Sequence, residues 1–171
     1  MIISVIGGHS PPSRALLQAE QVGRLLAERD IIVVCGGLGG VMEAVCRGAK
    51  EANGTTIGIL PGINPTEGNQ WVDIPICTGI GFTRSAIVAR TGAAVIAIDG
   101  SYGTLSEIGH ALGDGIPVVG LDTWSLQPGD KTSQEPYEIN AIVPVSTPEE
   151  AVEKAIELGK QRLENMTTLG N

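Results

Sequence analysis

The sequence predicts an α/β fold, a Rossmann-like doubly wound parallel sheet with helices on both faces, in a single domain. Three observations carry this. Short apolar runs alternate with helical patterns almost from end to end. The runs are rich in Val, Ile, Leu and Ala and barely alternate with polar residues, as strands buried on both faces require. Glycines gather where the runs end, at the expected strand-to-helix turns. The length of 171 residues suits one domain with a sizeable core, and with aromatics at only 3% that core must be aliphatic.

The elements follow in order. "IISVI" (2–6) is a strand ending in Gly7-Gly8. In "HSPPS", Ser10 can cap a helix and Pro11 can take its first position; Ala15, Ala19, Val22 and Leu26 then recur at helical spacing. "IIVVC" (31–35) is a second strand, followed by "GGLGG" and a helix carrying Val41, Val45, Gly48 and Ala52 on one face. "TTIGIL" (55–60) is a third strand, and "INPTEGNQWVD" reads as a loop. "IPICT" (74–78) reads as a short strand, 82–90 as a helix, and "AAVIAI" (93–98) as a strand leading through "DGSYGTLSE" into a helix to about Leu112. "IPVVGL" (116–121) is a further strand, and 122–138 reads as a surface insertion without periodicity. "AIVPV" (141–145) is the last strand. The final helix has Thr147 as cap, Pro148 at its first position and Glu149 and Glu150 in its first turn. The domain spans 1–165, and 166–171 reads as a frayed tail.

Composition narrows the function. Net charge is −8 and no block of Lys or Arg stands out, so nucleic acid is not an expected partner. "MIISVIGG" is not a signal peptide, and no apolar run approaches the roughly 20 residues that span a bilayer, so a cytoplasmic protein without membrane contact is expected. Cys35, Cys46 and Cys77 are odd in number and form no C-x-x-C pair; free buried thiols are expected, with no disulfide framework and no metal site.

Standard nucleotide signatures are missing. The first loop, "GGHSPPS", lacks the third glycine of G-x-G-x-x-G, and the second strand ends in Cys35 without the ribose-binding carboxylate. There is no G-x-x-x-x-G-K-[ST]. Lysines occur only at 50, 131, 154 and 160, outside the glycine loops, which also argues against Schiff-base chemistry. A backbone-driven anion site remains. Doubly wound sheets bind ligands at the carboxyl ends of their strands. Gly7-Gly8, Gly36 to Gly40 and Gly100 to Gly103 all fall there, and the helices from Val41 and near Leu105 offer N–H groups and positive dipole ends. The alternative is that glycines are simply common at such turns.

The stretches "GGLGGVMEAVCRGAKEANGTTIGILPG", "TGIGFTRSAIVAR" and "GSYGTLSEIGHAL" resemble, in order and spacing, the superfamily of the Lonely Guy phosphoribohydrolases, the "possible lysine decarboxylases" and the molybdenum cofactor carrier proteins. The resemblance covers residues 2 to 121, and "GGVMEA" and "GTLSEI" look closest to the carrier-like branch. It implies a Rossmann fold, a homo-oligomer (dimer or tetramer), and a phosphorylated pterin or nucleotide-like ligand, with the molybdenum cofactor as carried cargo. By position it makes Glu107 the match of the hydrolase glutamate, Arg84 that of its arginine, and Gly100, Gly103 and Thr104 its phosphate turn. It makes Glu43 a ligand contact; His9, following the first strand, falls at the crevice edge by position and reads equally as an ordinary loop residue. Ligand-binding candidates are therefore Gly7, Gly8, His9, Gly36, Gly37, Gly39, Gly40, Glu43, Asp99, Gly100, Ser101, Gly103 and Thr104. Asp99 and Ser101 depart from the hydrolase pattern "PGGxGTxxE", and a carboxylate at 99 would repel a phosphate unless it points aside or pairs with an arginine.

Plainer readings exist beside these. Thr104-x-x-Glu107 is also a capping box, with the hydroxyl capping the helix and the glutamate bonding back. Glu43 suits the dipole at a helix start, while Arg84 at such a start opposes it. Trp71 and Trp124 fall in loops without a deciding feature. The expected function is carrier-like binding of a phosphorylated small molecule. The alternative is hydrolysis of the N-glycosidic bond of nucleoside 5′-monophosphates by Glu107 and Arg84.

Overall fold

The computed structural model describes residues 1–126 and 142–169. Seven strands form one sheet in the order β4-β3-β2-β1-β5-β6-β7, with every pair parallel. They are β1 (Ile2–Gly7), β2 (Ile32–Cys35), β3 (Thr56–Leu60), β4 (Ile74–Cys77), β5 (Val95–Ile98), β6 (Val118–Leu121) and β7 (Val143–Val145). The helices are α1 (Ser13–Ala27), α2 (Val41–Glu51), α3 (Ser85–Thr91), α4 (Tyr102–Gly113) and α5 (Pro148–Leu169). Each strand lies within two residues of the apolar run that predicts it.

The strands are apolar throughout because both faces are covered. Ile3, Val5, Val33, Cys35, Ile96, Ile98, Val119 and Leu121 face one way and pack with α1, α2 and α5. Ile6, Val34, Val95, Ala97 and Val118 face the other way and pack with α3 and α4. Ser4, buried in β1, satisfies its hydroxyl by donating to the Val88 carbonyl at 2.7 Å. On the first face α1 and α2 touch at backbone distance. A Cβ on Gly23 would collide with the Val45 carbonyl, and one on Gly48 with the Glu20 carbonyl.

Several local expectations change. Helix α1 begins at Ser13, not near Ser10–Pro11. Pro12 is its N-cap, extended at ψ 158°, and its carbonyl accepts from Ala15 and Leu16. A proline disfavours helical backbone in the residue before it, so Pro12 keeps Pro11 out of the helix. The predicted helix 82–90 divides into a 3-10 turn, Gly81–Arg84, and α3. Helix α5 starts as expected, with Thr147 Oγ1 accepting from the Glu150 N–H at 3.2 Å. It continues to Leu169, so 166–169 is helix where a tail was expected, with the hydroxyls of Thr167 and Thr168 donating to carbonyls one turn back. Most of the insertion expected at 122–138 lies outside the described residues. Cys77 is exposed on edge strand β4, whereas Cys35 and Cys46 are buried. Among the described residues no helix is long and apolar enough to cross a membrane.

Candidate functional site

Strand order reverses between β1 and β5, the position at which doubly wound sheets open a crevice. The three glycine-bearing loops meet there. The Gly8 carbonyl accepts from the Val41 N–H at 3.0 Å, which joins the β1–α1 loop to the start of α2. Gly40 has φ +68°, and a Cβ there would strike the carbonyls of Gly8 and His9. The exposed His9 ring lies against Gly39. Gly7 is packed against Val41 and the Ile98 carbonyl, so close packing accounts for it. From the other side Asn69 holds the 36–40 loop, accepting nothing from it but donating its backbone N–H to the Gly37 carbonyl at 2.8 Å and Nδ2 to the Leu38 carbonyl at 2.9 Å.

Asp99 follows β5 with φ +51°, a left-handed conformation unusual outside glycine. This backbone turns its carboxylate across the β1 loop: Oδ2 lies 2.9 Å from the place a Gly8 Cβ would occupy. Gly100, at φ +110°, packs against Thr104. The turn is buttressed by residues that sequence left undecided. Thr123 Oγ1 donates to the Asp99 carbonyl at 2.5 Å, and Trp124 Nε1 donates to the Ser101 carbonyl at 3.3 Å while its ring stands 6.0 Å from Tyr102. Only their place just after β6 hints at this, since the chain there also leaves a strand end beside the crevice.

The capping-box reading of Thr104 and Glu107 is overturned. Helix α4 begins at Tyr102 with Ser101 as N-cap, and the Ser101 side chain makes no capping hydrogen bond. Thr104 is therefore the third helical residue and Glu107 the sixth, one turn too deep to reach the cap. Both are buried instead. Glu107 turns toward Arg84, Nη1 to Oε1 3.5 Å, and the two are 8% and 4% exposed. Burial pushes the Glu107 carboxyl up to about 7; the Arg84 charge and the Ser85 hydroxyl pull it back only in part. Burial likewise lowers Arg84 from its ordinary value, opposed by Glu107 and Cys35. The Arg84 guanidinium lies against Gly36, where a side chain would displace it, and its Nε has no hydrogen-bond partner among the described residues. A long contact to one carboxylate leaves most of the guanidinium donors free for another acceptor.

The structure thus brings together Gly8, His9, Gly36, Gly39, Gly40, Asp99 and Gly100 at one crevice, with Arg84 and Glu107 buried beside Gly36. Gly37, at φ +72°, belongs to the same loop but backs onto Leu60 and Gly58. Gly103 sits in the first turn of α4 with open space where a Cβ would project. Glu43, half-buried in α2, acts electrostatically on Arg47 one turn further along. Lys50 lies at the far end of α2, bound to Asp73 at 2.8 Å. Among the described residues no group of three or more His, Cys, Asp or Glu side chains is placed to hold a metal. The chemistry available is a buried acid–arginine pair, an uncapped helix N-terminus and a carboxylate at the switch point.

Known proteins share this framework. The molybdenum cofactor binding protein of the phototrophic bacterium Rippkaea orientalis superposes with a TM-score of 0.80 at 37% identity, over 92% of this chain and 96% of that one. The molybdenum cofactor carrier protein of Chlamydomonas reinhardtii superposes with a TM-score of 0.78 at 34% identity, over 92% and 97%. A probable cytokinin riboside 5′-monophosphate phosphoribohydrolase of Oryza sativa subsp. japonica is 37% identical over 112 residues, which is 62% of this chain and 45% of that protein. The SLOG cluster4 family profile matches residues 1–152, which include every strand of the sheet. With that match, and with near full-length likeness to the cofactor-binding structures, the chain belongs to the SLOG cluster4 family.

Proposed function

We propose that the protein binds a phosphorylated small molecule at the β1–β5 crevice and carries it without cleaving it. One observation carries this reading: the Ser101 side chain leaves the N-terminus of α4 uncapped, and a buried arginine whose Nε has no partner among the described residues stands in the same region. Free helix N–H groups and a guanidinium are donors for phosphate oxygens. Gly103 leaves open space at the start of α4, and Gly36 leaves room for the Arg84 guanidinium. Asp99 leans across Gly8, so it would meet a polar, hydrogen-donating part of the ligand instead of its phosphate. The likeness to proteins named for binding or carrying the molybdenum cofactor supports a pterin phosphate as cargo. We take the protein to act in the cytoplasm, which suits its unpaired cysteines.

A second reading rests on Glu107. A carboxyl titrating near 7 beside an arginine can serve as a general base or stabilise positive charge on a ribose, so N-glycosidic hydrolysis is the alternative. Native mass spectrometry and product analysis on a panel of nucleoside 5′-monophosphates separate the two. The carrier reading expects a retained phosphorylated ligand and no free base. Release of free base and ribose 5-phosphate that disappears in Glu107→Ala would establish the hydrolase in its place. Gly103→Val is expected to leave the fold intact, because its side chain enters open space, and to weaken ligand binding at least tenfold, about 1.4 kcal/mol. Unchanged affinity would remove α4 from the site.

We also propose a homo-oligomer. Phe82 and Tyr102 are 83% and 81% exposed, and Ile80 and Ile87 are exposed near Phe82 on the α3 side. Light scattering is expected to report a dimer or larger assembly that Phe82→Asp dissociates; a wild-type monomer at micromolar concentration would sink this.

A further inference from the structure

Cys35 ends β2 and Cys46 lies in the second turn of α2, so the strand–loop–helix unit folds their side chains against each other. Their Sγ atoms are 3.5 Å apart, and both residues are fully buried. Most buried cysteines are inert packing groups. Cys35 differs because polar groups converge on its sulfur. The Gly37 N–H donates to it at 3.3 Å, and the Met42 carbonyl stands at 3.7 Å. Gly37 is part of the 36–40 loop that borders Arg84 and the crevice, so this sulfur is one of the supports of that loop.

We propose that Cys35 and Cys46 are an oxidisable dithiol that closes to a disulfide with a small hydroperoxide and thereby frees the Gly37 amide and the crevice loop. The hydrogen bond from Cys46, with help from the Gly37 amide and the Arg84 charge, lowers the Cys35 thiol from its ordinary value against the opposing effect of burial. The bond to Cys35 and burial push Cys46 up. Cys35 is thus the thiol that loses its proton more readily and attacks, and Cys46 is the partner that holds its proton. In the first step the Cys35 sulfur attacks one peroxide oxygen. The O–O bond breaks, the alcohol or water leaves with a proton, and Cys35 becomes a sulfenic acid. In the second step the Cys46 sulfur attacks the Cys35 sulfur, the S–O bond breaks, and water leaves with the Cys46 proton. Two thiols lose two electrons and the peroxide gains them. Closing the bond draws the Cys35 sulfur from 3.5 Å to bonding distance of the Cys46 sulfur, so its hydrogen bond from Gly37 is strained and weakens. Any effect on ligand affinity rests on the proposed function; the thiol chemistry does not.

The test uses the full chain carrying Cys77→Ser, which removes the exposed thiol. Hydrogen peroxide is expected to lower the intact mass by two hydrogens and to leave no thiol titratable in denaturant, with dithiothreitol restoring both. Adding Cys35→Ser or Cys46→Ser is expected to abolish that loss of hydrogens. Hydrogen exchange at the Gly37 amide is expected to speed up at least tenfold on oxidation. Survival of both thiols at a peroxide dose that oxidises the same chain unfolded in urea would overturn the proposal. So would gain of oxygen without loss of hydrogens, or a disulfide that leaves Gly37 exchange unchanged.

Discussion

Urea unfolding of the wild-type chain is expected to show stability falling as pH rises from about 4.5 through about 7, and Glu107→Gln is expected to lack that component of the fall. The folded state holds the Glu107 proton more tightly than the unfolded chain does, because burial penalises the carboxylate more than Arg84 and Ser85 favour it. The stabilising contribution is therefore fully present below about 4.5 and is lost as pH passes about 7. A displacement of this size corresponds to at most about 3–4 kcal/mol at about 1.4 kcal/mol per pH unit. Glutamine keeps the shape and cannot titrate. Arg84 stays charged throughout the window, so loss of its partner shifts the variant's curve by a constant and does not change its slope. Parallel wild-type and variant curves would show that Glu107 titrates alike in the folded and unfolded chain, so that burial does not raise it. A general base at this position would then lose its reason for titrating near neutrality.

Gly48→Ala is expected to cost about 3 kcal/mol, at the upper end of the usual range for overpacking. The added Cβ falls on the Glu20 backbone carbonyl, which cannot rotate away as a side chain could. Relief requires α2 to move off α1, and α2 is tied at its start to the Gly8 carbonyl. The control is Gly109→Ala in α4. An added Cβ meets nothing within 4 Å there, and the change should stabilise by about 0.5–1 kcal/mol through helix propensity alone. Equal urea midpoints for the two variants would refute the close α1–α2 contact.

The strands were legible because a sheet buried on both faces must be written in aliphatic residues, and "IIVVC" or "AAVIAI" offers few other readings. The glycine loops were legible as a set, since "GGLGG" places several glycines where helix-starting backbone must approach other backbone. What sequence could not separate was packing from ligand contact: Gly7 and Gly40 are accounted for by neighbouring chain, Gly103 by nothing nearby. The capping box failed because the spacing Thr104-x-x-Glu107 is the same whether the helix begins at Leu105, with Thr104 as cap, or three residues earlier, at Tyr102. Nothing local says which. The supports from Asn69, Thr123 and Trp124 come from segments without periodicity, and only tertiary placement brings them to the crevice. The direction of Asp99 likewise depends on a left-handed backbone that an aspartate tolerates but does not announce.

The pairing of β1 with β5 has a consequence for how the molecule comes to exist. Residues 4 to 7 pair with residues 95 to 98, so the two lips of the crevice come from distant parts of the chain. The strands from β1 to β4 can pair among themselves, and so can β5 to β7. Neither set alone has a crevice. The pocket is a seam between two halves, and it appears only once the halves have met. Contacts this distant in sequence form slowly. A nascent chain would therefore have its first sheet edge, the free side of β1, open until the residues of β5 arrive to close it.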